Sequence, residues 1–360
     1  MSFLHSHSCE CIKSELDLFA LPSTQTSIES GMWVQYKPIS SLADDGPIEF
    51  QVPGTGDDYI DLSHTLIQLK AKILNEDSSK LAASTVVAPV NNWLHSVFTQ
   101  LDVYLNQKLV SPPNNTYAYR AYIKTLLNYS SEAKQSHLTC SLWYEDTAGK
   151  MDSTEEKNSG FTKRQQLVSE SKEVEMIGHL HGDIFNQEKF LINGVEMSIK
   201  LVRSRETFNL MAPTDDVKYK INITDATLLV RRTKINPSVL LAHQKVLATT
   251  TAKYPITRAE VKVLTIPSGV QGTGIHFLNE GNGISHDKYS KGYCLLAFDL
   301  TPDLSANSFS HWNLIRHGSV RLEVRFESAL TQTINCVVYA EFDNVIEIDK
   351  NRNVTVDYSS

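Results

Sequence analysis

The segment TLIQLKAKIL, residues 65–74, decides the fold class, because its apolar and polar side chains alternate. In an extended conformation, one face carries only apolar side chains: Ile67, Leu69, Ala71 and Ile73. The other face carries one leucine and three polar side chains: Leu66, Gln68, Lys70 and Lys72. A repeat of two residues is that of a β-strand, whereas an α-helix repeats after about 3.6 residues. The segment therefore predicts a strand with one face on an apolar core.

The same alternation returns in other parts of the chain. VFTQLDVYLNQKLV, residues 97–110, alternates around the turn-forming pair Asn106-Gln107. In SVRLEVRFESAL, residues 319–330, four apolar residues alternate with four charged ones. Each large apolar side chain contributes about 1.5–3 kcal/mol when it is buried. The repeated pattern predicts an all-β protein with short strands joined by turns.

Two helical segments interrupt the strands, one in each half of the chain. PPNNTYAYRAYIKTLLNYS, residues 112–130, has Asn114 or Asn115 as a candidate N-cap, and its apolar side chains recur at helical spacing: Tyr119, Tyr122, Ile123 and Leu126. NPSVLLAHQKVLATT, residues 236–250, has Asn236 as N-cap and Pro237 at the first helical position. Each helix follows a strand. This repeat of architecture predicts two similar β domains in tandem.

Length favours the same division, because one eight-stranded jelly roll needs roughly half of this chain. We predict an all-β fold of two tandem eight-stranded jelly rolls, a double jelly roll, with short helices in loops. The predicted segments are an N-terminal arm (1–30), a first jelly roll (31–185), a second jelly roll (186–348) and a C-terminal tail (349–360).

Composition and charge narrow the class of function. Of the 360 residues, 41% are hydrophobic and 21% are charged, which is typical of a globular protein. The net charge of −7 and the absence of a basic tail argue against a protein that neutralises phosphates, so we predict no sequence-specific nucleic-acid binding. The five scattered cysteines do not form a disulfide framework, which predicts reduced thiols inside a cell. We also expect neither a signal peptide nor a transmembrane segment.

Motifs that could carry catalysis are weak. GHLHGD contains His179, His181 and Asp183, and two histidines two residues apart on a strand can begin a metal site. No further histidine or acidic cluster has a spacing typical of a third metal ligand. The favoured interpretation is therefore that these residues are polar side chains on the outward face of a strand. HSHSCEC, residues 5–11, has ligand types that suit zinc, but not the usual spacing.

A nucleotide site and a catalytic serine are also disfavoured. Gly269, Gly272 and Gly274 resemble a phosphate loop, but no helical segment follows them. The chain has no G-x-S-x-G motif. We therefore predict no catalytic residue, no cofactor and no metal, and a structural protein instead of an enzyme.

Three long segments resemble one protein family. They are GPIEFQVPGTGDDYIDLSHTLIQLKAKI (46–73), GHLHGDIFNQEKFLINGVEMSIKL (178–201) and VVYAEFDNVIEIDKNRNV (337–354). They are similar to major capsid proteins of Polintons (Mavericks) and adintoviruses, virus-like elements of animal genomes. The resemblance covers about residue 30 to the C-terminus. It implies a double jelly roll, a homotrimer forming a pseudo-hexagonal capsomer, an icosahedral shell assembled inside the host cell, and a penton or minor capsid protein as a further partner.

Other functions remain open at this point. A penton or minor capsid protein is usually a single jelly roll, which the length disfavours. A domesticated host β-sandwich module could bind sugars or proteins. A metal-dependent hydrolase would use His179, His181 and Asp183.

The C-terminal segment NCVVYAEFDNVIEIDKNRN, residues 335–353, contains four acidic side chains. Two of them could act as a catalytic pair only if they lay in a cleft. No companion residues for such a cleft are evident, so the segment is interpreted as the last strand and its exit. We predict an assembly contact near the capsomer base, formed by Glu347, Asp349, Lys350 and Arg352.

Overall fold

A computed structural model describes residues 11, 13–19, 21–43, 45–54, 56–214, 218–266, 283–306, 311–313, 324, 326 and 329–356. The strands are β1 Ile28–Tyr36, β2 Ile48–Val52, β3 Asp58–Asn75, β4 Ala88–Pro89, β5 Phe98–Leu105, β6 Lys108–Leu109, β7 Val174–His179, β8 Met197–Arg203, β9 Leu210–Met211, β10 Tyr219–Ile235, β11 Ala252–Ile266, β12 Ile334–Ile348 and β13 Val354–Val356. The α-helices are α1 Trp93–Ser96, α2 Tyr117–Asn128, α3 Ser131–Gln135, α4 Ser159–Val168, α5 Glu206–Asn209, α6 Pro237–Leu247 and α7 His286–Tyr289. Short 3-10 helices span Ser14–Leu16, His137–Ser141, Ser169–Ser171 and Asp183–Asn186.

Two four-stranded antiparallel sheets form a β-sandwich. Their strand orders are β1-β10-β3-β7 and β2-β8-β5-β6. The inward residues of both sheets contribute to one apolar cluster, as β-sandwiches require. The four residues predicted to face the core from TLIQLKAKIL are all fully buried: Ile67, Leu69, Ala71 and Ile73. The prediction of an all-β fold is confirmed.

The pairing of β3 with β10 contains a bulge. The register passes from Leu229 opposite Leu66 to Arg231 opposite Asp61. Residues 62–65 of β3 therefore lie opposite a single residue of β10, which is the geometry of an enlarged β-bulge. The bulge carries Ser63 and His64 to the outside of the sheet.

Strand pairing crosses the boundary predicted at residues 185/186. β8 pairs with β2 and β5, and β10 pairs with β1 and β3. Both strands follow residue 186 in the chain but belong to the sandwich of the first half. We propose that the first jelly roll extends through Ile235.

A separate three-stranded sheet lies outside the sandwich and has the strand order β11-β12-β13. We call it the second sheet. β11 and β12 pair without a register shift from Ala252 opposite Ile348 to Ile266 opposite Ile334. β13 lies within the predicted C-terminal tail and adds to β12. The strand predicted in SVRLEVRFESAL lies outside the described residues except at 324, 326, 329 and 330, and Gly269, Gly272 and Gly274 lie entirely outside them.

Both predicted helices are present, as α2 and α6. The Asn236 side chain accepts a hydrogen bond of 2.9 Å from the Ser238 N–H, so the predicted N-cap of α6 is confirmed. The predicted N-cap of α2 is wrong, because Thr116 occupies that position. The predicted turn is confirmed, since Asn106 and Gln107 have positive φ angles of 45° and 67° between β5 and β6.

The buried face of α2 differs from the predicted one. Among the four apolar residues at helical spacing, only Leu126 is fully buried. The buried face instead contains small and charged residues: Tyr117, Ala118, Arg120, Ala121, Lys124 and Thr125. Within the described ranges, no helix has the length and apolar content that a membrane crossing requires.

Candidate assembly surface

The four residues predicted as an assembly contact lie together, around the hairpin that joins β12 to β13. Asp349 forms the turn of this hairpin. Its Oδ1 atom accepts hydrogen bonds of 2.8 Å from the Asn351 and Asn353 backbone N–H groups, and its Oδ2 atom accepts one of 2.8 Å from Asn353 Nδ2. The side chain and backbone of Asn353 lower the pKa of Asp349. This carboxylate therefore shapes its own turn.

Arg352 attaches the hairpin to the first sandwich. Its Nε atom donates a hydrogen bond of 2.7 Å to the Asn193 carbonyl, and its Nη2 atom donates one of 3.2 Å to Asn193 Oδ1. Its own carbonyl accepts a hydrogen bond of 2.8 Å from Asn106 Nδ2. At Gly194, which has a φ of +78°, an added Cβ would lie 3.0 Å from Arg352 Nε. Glycine thus permits the close approach of the two segments.

Glu347 and Lys350 are the two remaining members of the set. Glu347 accepts a hydrogen bond of 2.7 Å from Thr251 Oγ1 and lies 3.4 Å from Lys253 Nζ on the neighbouring strand. The Thr251 hydroxyl and then Lys253 lower the pKa of Glu347. Lys350 is exposed. The structure thus brings the four residues together but commits Asp349 and Arg352 to contacts within the chain; their role in assembly stays a prediction.

Replacing Arg352 with alanine is expected to detach the hairpin from the first sandwich. The substitution removes two charge-assisted hydrogen bonds to Asn193, each typically worth about 1.5–3 kcal/mol. We expect amide hydrogen exchange of β13 to accelerate, with little change in β3. An equal change in β3 would show that the effect is global, and unchanged exchange in β13 would contradict the role given to Arg352. Lys350→Ala is the matched control, since Lys350 is exposed in the same turn.

The structure does not place His179, His181 and Asp183 together as three metal ligands. Asp183 Oδ1 accepts a hydrogen bond of 2.5 Å from Arg120 Nη2 and one of 3.0 Å from the Ala259 N–H. The His181 ring packs edge-on against the His95 ring with centroids 4.5 Å apart, and the side chain of His179 is exposed. Throughout the described ranges, no three histidine, cysteine, aspartate or glutamate side chains are placed to hold a metal ion. The interpretation of outward polar strand residues is also incomplete, because Asp183 is buried.

Sequence reasoning missed the contact that this aspartate makes. Arg120 on α2 belongs to the first half of the chain, whereas Ala259 lies on β11 of the second sheet. Asp183 bonds both, so one carboxylate joins the sandwich to the second sheet. The Arg120–Asp183 pair is almost fully buried, and such a pair is costly to break at one partner.

His95 is buried next to this contact and is held neutral. Its Nδ1 atom lies 3.0 Å from the Tyr117 hydroxyl. Burial, and then the nearby His179, lower the pKa of His95 to about 3. Burial, and then His95, also lower the pKa of His181 well below its usual value. Neither ring is therefore protonated in the folded protein near neutral pH.

Stability is expected to fall as the pH falls below about 6, because unfolding lets His95 take up a proton near its ordinary pKa. The folded-state pKa is depressed, so the stabilising contribution is complete above the unfolded-state pKa. It decreases by about 1.4 kcal/mol per pH unit between the unfolded-state pKa and the folded-state value. Urea unfolding at several pH values measures this slope. His95→Asn is expected to reduce the slope, and an unchanged slope would contradict the assignment to His95.

An open polar cavity lies beside the β3 bulge. Its volume is about 620 Å³, and it is lined by Asp61, Ser63, His64, Tyr129, His179, Leu180, His181, Phe185, Asn186, Glu188, Phe190 and Arg231. Asp61 Oδ2 accepts a hydrogen bond of 2.6 Å from Arg231 Nη1 and lies 2.9 Å from His64 Nδ1. Burial raises the pKa of Asp61, but hydrogen bonds from His64, Arg231 and Ser63 lower it overall. Arg231 thus compensates the charge of Asp61 at the wall of the cavity.

Comparisons with known proteins show the fold. No known family model matches the chain. A curated protein of Caenorhabditis elegans, "Uncharacterized protein F54H12.2", is 22% identical over 433 aligned positions, which cover 94% of this chain and 99% of that protein. A chain of the Sputnik virophage, in a cryo-EM structure at 3.5 Å resolution, superposes with a TM-score of 0.55 at 9% identity. The superposition covers 98% of this chain and 94% of the virophage chain. The fold is the double jelly roll.

A weaker likeness to the Faustovirus major capsid protein has a TM-score of 0.41 and covers 70% of this chain and 64% of that one, at 8% identity. We propose that the two packed four-stranded sheets form the first jelly roll and that the β11-β12-β13 sheet belongs to the second.

Proposed function

We propose that the chain is a major capsid protein, which forms trimeric, pseudo-hexameric capsomers that tile an icosahedral shell. The observation that carries the proposal is the superposition on the Sputnik virophage chain over nearly the full length of both chains. The match includes both halves of the double jelly roll, which favours a shell subunit over a penton or minor capsid protein built from a single jelly roll.

The role that we propose is self-assembly without catalysis. We further propose that the protein is located in the virion capsid and that the capsid assembles inside the host cell. The sequence features that most resembled an active site support this view. The Oδ1 atom of Asp183 accepts hydrogen bonds from Arg120 and the Ala259 N–H, and the carboxylate of Asp349 accepts those of its own turn. A penton or minor capsid protein is a further proposed partner, at the vertices of the shell.

We further propose that the chain derives from a Polinton-like (Maverick or adintovirus-type) element. Two observations support this origin. The three segments quoted above resemble capsid proteins of those elements, and the relative in Caenorhabditis elegans matches over 99% of its length. A full-length relative in an animal genome is what an integrated element would leave.

Expression followed by negative-stain electron microscopy tests the proposed function. We expect triangular or hexagonal particles, two-dimensional arrays or closed shells. A five-fold ring would instead indicate a penton protein. Dispersed single chains that bind glycans would indicate a host binding module, and either result would overturn the proposal.

The proposed assembly contact is tested with exposed charges, so that the hairpin itself is kept. We expect the double variant Glu347→Lys and Lys350→Glu to reduce array or shell formation without unfolding the chain, since neither residue is buried. The count of assembled particles per field measures the effect, and circular dichroism measures the fold. Glu156→Lys, in the exposed segment before α4, is the matched control. Assembly at the level of the control would contradict the contact.

A further inference from the structure

The N-terminal arm, described at residues 13–19 and 21–27, carries apolar side chains that no other described part of the chain covers. The exposed fractions are 68% for Leu16, 75% for Leu18, 97% for Phe19 and 92% for Leu21. Single exposed apolar residues are common on protein surfaces, but a cluster of four within six positions marks a segment that binds a partner. Among the residues that the structure describes, these side chains therefore have no surface on which they pack.

β1, which follows the arm, is a strand with an open edge. It pairs with β10 on one side, and among the described strands it has no neighbour on the other. Met32 is 54% exposed and Trp33, on the opposite face, is 47% exposed. The strand has no charged side chain between Ser30 and Tyr36 and no proline. Proteins usually protect long edge strands with such residues or cover them.

The arm joins β1 at a fixed point. The Ser27 carbonyl accepts a hydrogen bond of 2.9 Å from the Asn236 N–H at the start of α6. The Gln25 side chain accepts a hydrogen bond of 2.7 Å from the Ile28 N–H and donates one of 3.1 Å to the Ile28 carbonyl. These contacts hold residues 25–28 in one place. The apolar segment lies 7–12 residues before Ile28, so it reaches roughly 20–40 Å away when extended.

We propose that the open edge of β1 binds residues 16–21 of a second copy of this chain. The segment lies along β1 as an added strand, and its apolar side chains pack on Met32 and Trp33. Strand addition satisfies the outward N–H and C=O groups of β1 and covers the exposed apolar side chains of both partners. The inference rests on the proposed self-assembly and names one surface through which it occurs.

A second copy fits the surface better than an unrelated partner for a reason of geometry. The arm begins where the β1 edge begins, so two copies that meet at this edge place each arm beside the other copy's β1. One chain thus supplies both the exposed segment and the exposed edge. For the arm to bind its own β1, the chain would have to reverse its direction between Leu21 and Gln25, because the hydrogen bonds of Gln25 to Ile28 hold the following residues in place.

Site-specific photo-crosslinking in the full chain tests this inference. Phe19 is replaced by p-benzoylphenylalanine, and chains of natural isotopic composition are mixed with nitrogen-15-labelled chains before assembly and irradiation. Digestion after glutamate separates residues 16–29 from residues 30–49, so the arm and the edge fall in different peptides. We expect crosslinks between these two peptides that combine one labelled and one unlabelled partner.

Matched variants and two readouts make the outcome decisive. Placing the photo-reactive residue at Val246, which is 56% exposed at the end of α6, should not give this crosslink. Trp33→Glu should reduce it by at least about tenfold, because a charge on an edge strand opposes strand addition. Crosslinks that never combine a labelled with an unlabelled peptide would show that the arm binds its own chain. Crosslinks to other peptides would show that the arm binds a different surface. Either result would overturn the inference. Trimers or arrays in the same samples would show that the proposed function stands even then.

Discussion

Replacement of Arg164 by methionine is expected to lower the free energy of unfolding by about 3–5 kcal/mol. Arg164 is fully buried on α4. Its Nε atom donates a hydrogen bond of 2.8 Å to the Pro89 carbonyl, and Nη1 donates one of 2.6 Å to the Tyr144 carbonyl. Its Nη2 atom lies 2.7 Å from Asp146 Oδ1. Methionine fills part of the volume but leaves the carboxylate and two carbonyls without these donors.

Equilibrium unfolding in urea, followed by circular dichroism, measures this loss. Gln166→Met is the matched control, because Gln166 lies on the same helix and is exposed. We expect the control to change stability by less than about 0.5 kcal/mol. A loss below about 1 kcal/mol for Arg164→Met would show that the buried pair does not hold α4 in place.

Replacement of Asp183 by alanine is expected to have an effect of similar size, about 3–5 kcal/mol. The Arg120 guanidinium would remain buried without its carboxylate, and the Ala259 N–H would lose its acceptor. Because Asp183 joins α2 to β11, we also expect the second sheet to unfold before the sandwich. Hydrogen exchange in β11 that becomes faster than exchange in β3 would reveal this loss of coupling.

A double-mutant cycle separates the pair from its surroundings. Arg120→Met in the Asp183→Ala background removes the uncompensated charge, so the double variant should be more stable than the sum of the single losses predicts. An additive result would mean that the two side chains do not act as a pair.

The sequence predicted which residues of a strand face the core, but not which strands pair. TLIQLKAKIL shows its buried face directly, because alternation is a local property of one strand. The partner of a strand depends on the fold of distant segments, and β10 follows its partner β3 by more than a hundred residues. Nothing local in β8 or β10 indicates that they complete the first sandwich, and so the predicted boundary at 185/186 precedes them.

The buried charged residues could not be predicted from the sequence for a related reason. Apolar spacing on α2 predicted a face with Tyr119, Tyr122 and Ile123, whereas the buried face contains Arg120 and Lys124. A charged side chain is usually assigned to solvent. It can be buried only where a partner is supplied, and the partner of Arg120 is Asp183, 63 positions away in the chain.

The C-terminal hairpin shows a mixed outcome. The sequence predicted that Glu347, Asp349, Lys350 and Arg352 lie close together, and local chain geometry was enough for that. It did not indicate that Arg352 reaches Asn193 or that Asn106 reaches the Arg352 carbonyl, since those contacts connect segments far apart. Lys350 is exposed and Glu347 is half-buried, and we propose that these two residues contact a neighbouring subunit.

The mass of the purified full-length protein in solution tests the central claim most directly. Multi-angle light scattering over a wide range of concentrations at neutral pH should give a species of three times the 40.4 kDa chain mass, persisting on dilution. Larger species at high concentration would indicate that capsomers associate with one another. A folded protein that stays at 40.4 kDa at every concentration would contradict the claim that this double jelly roll builds a shell.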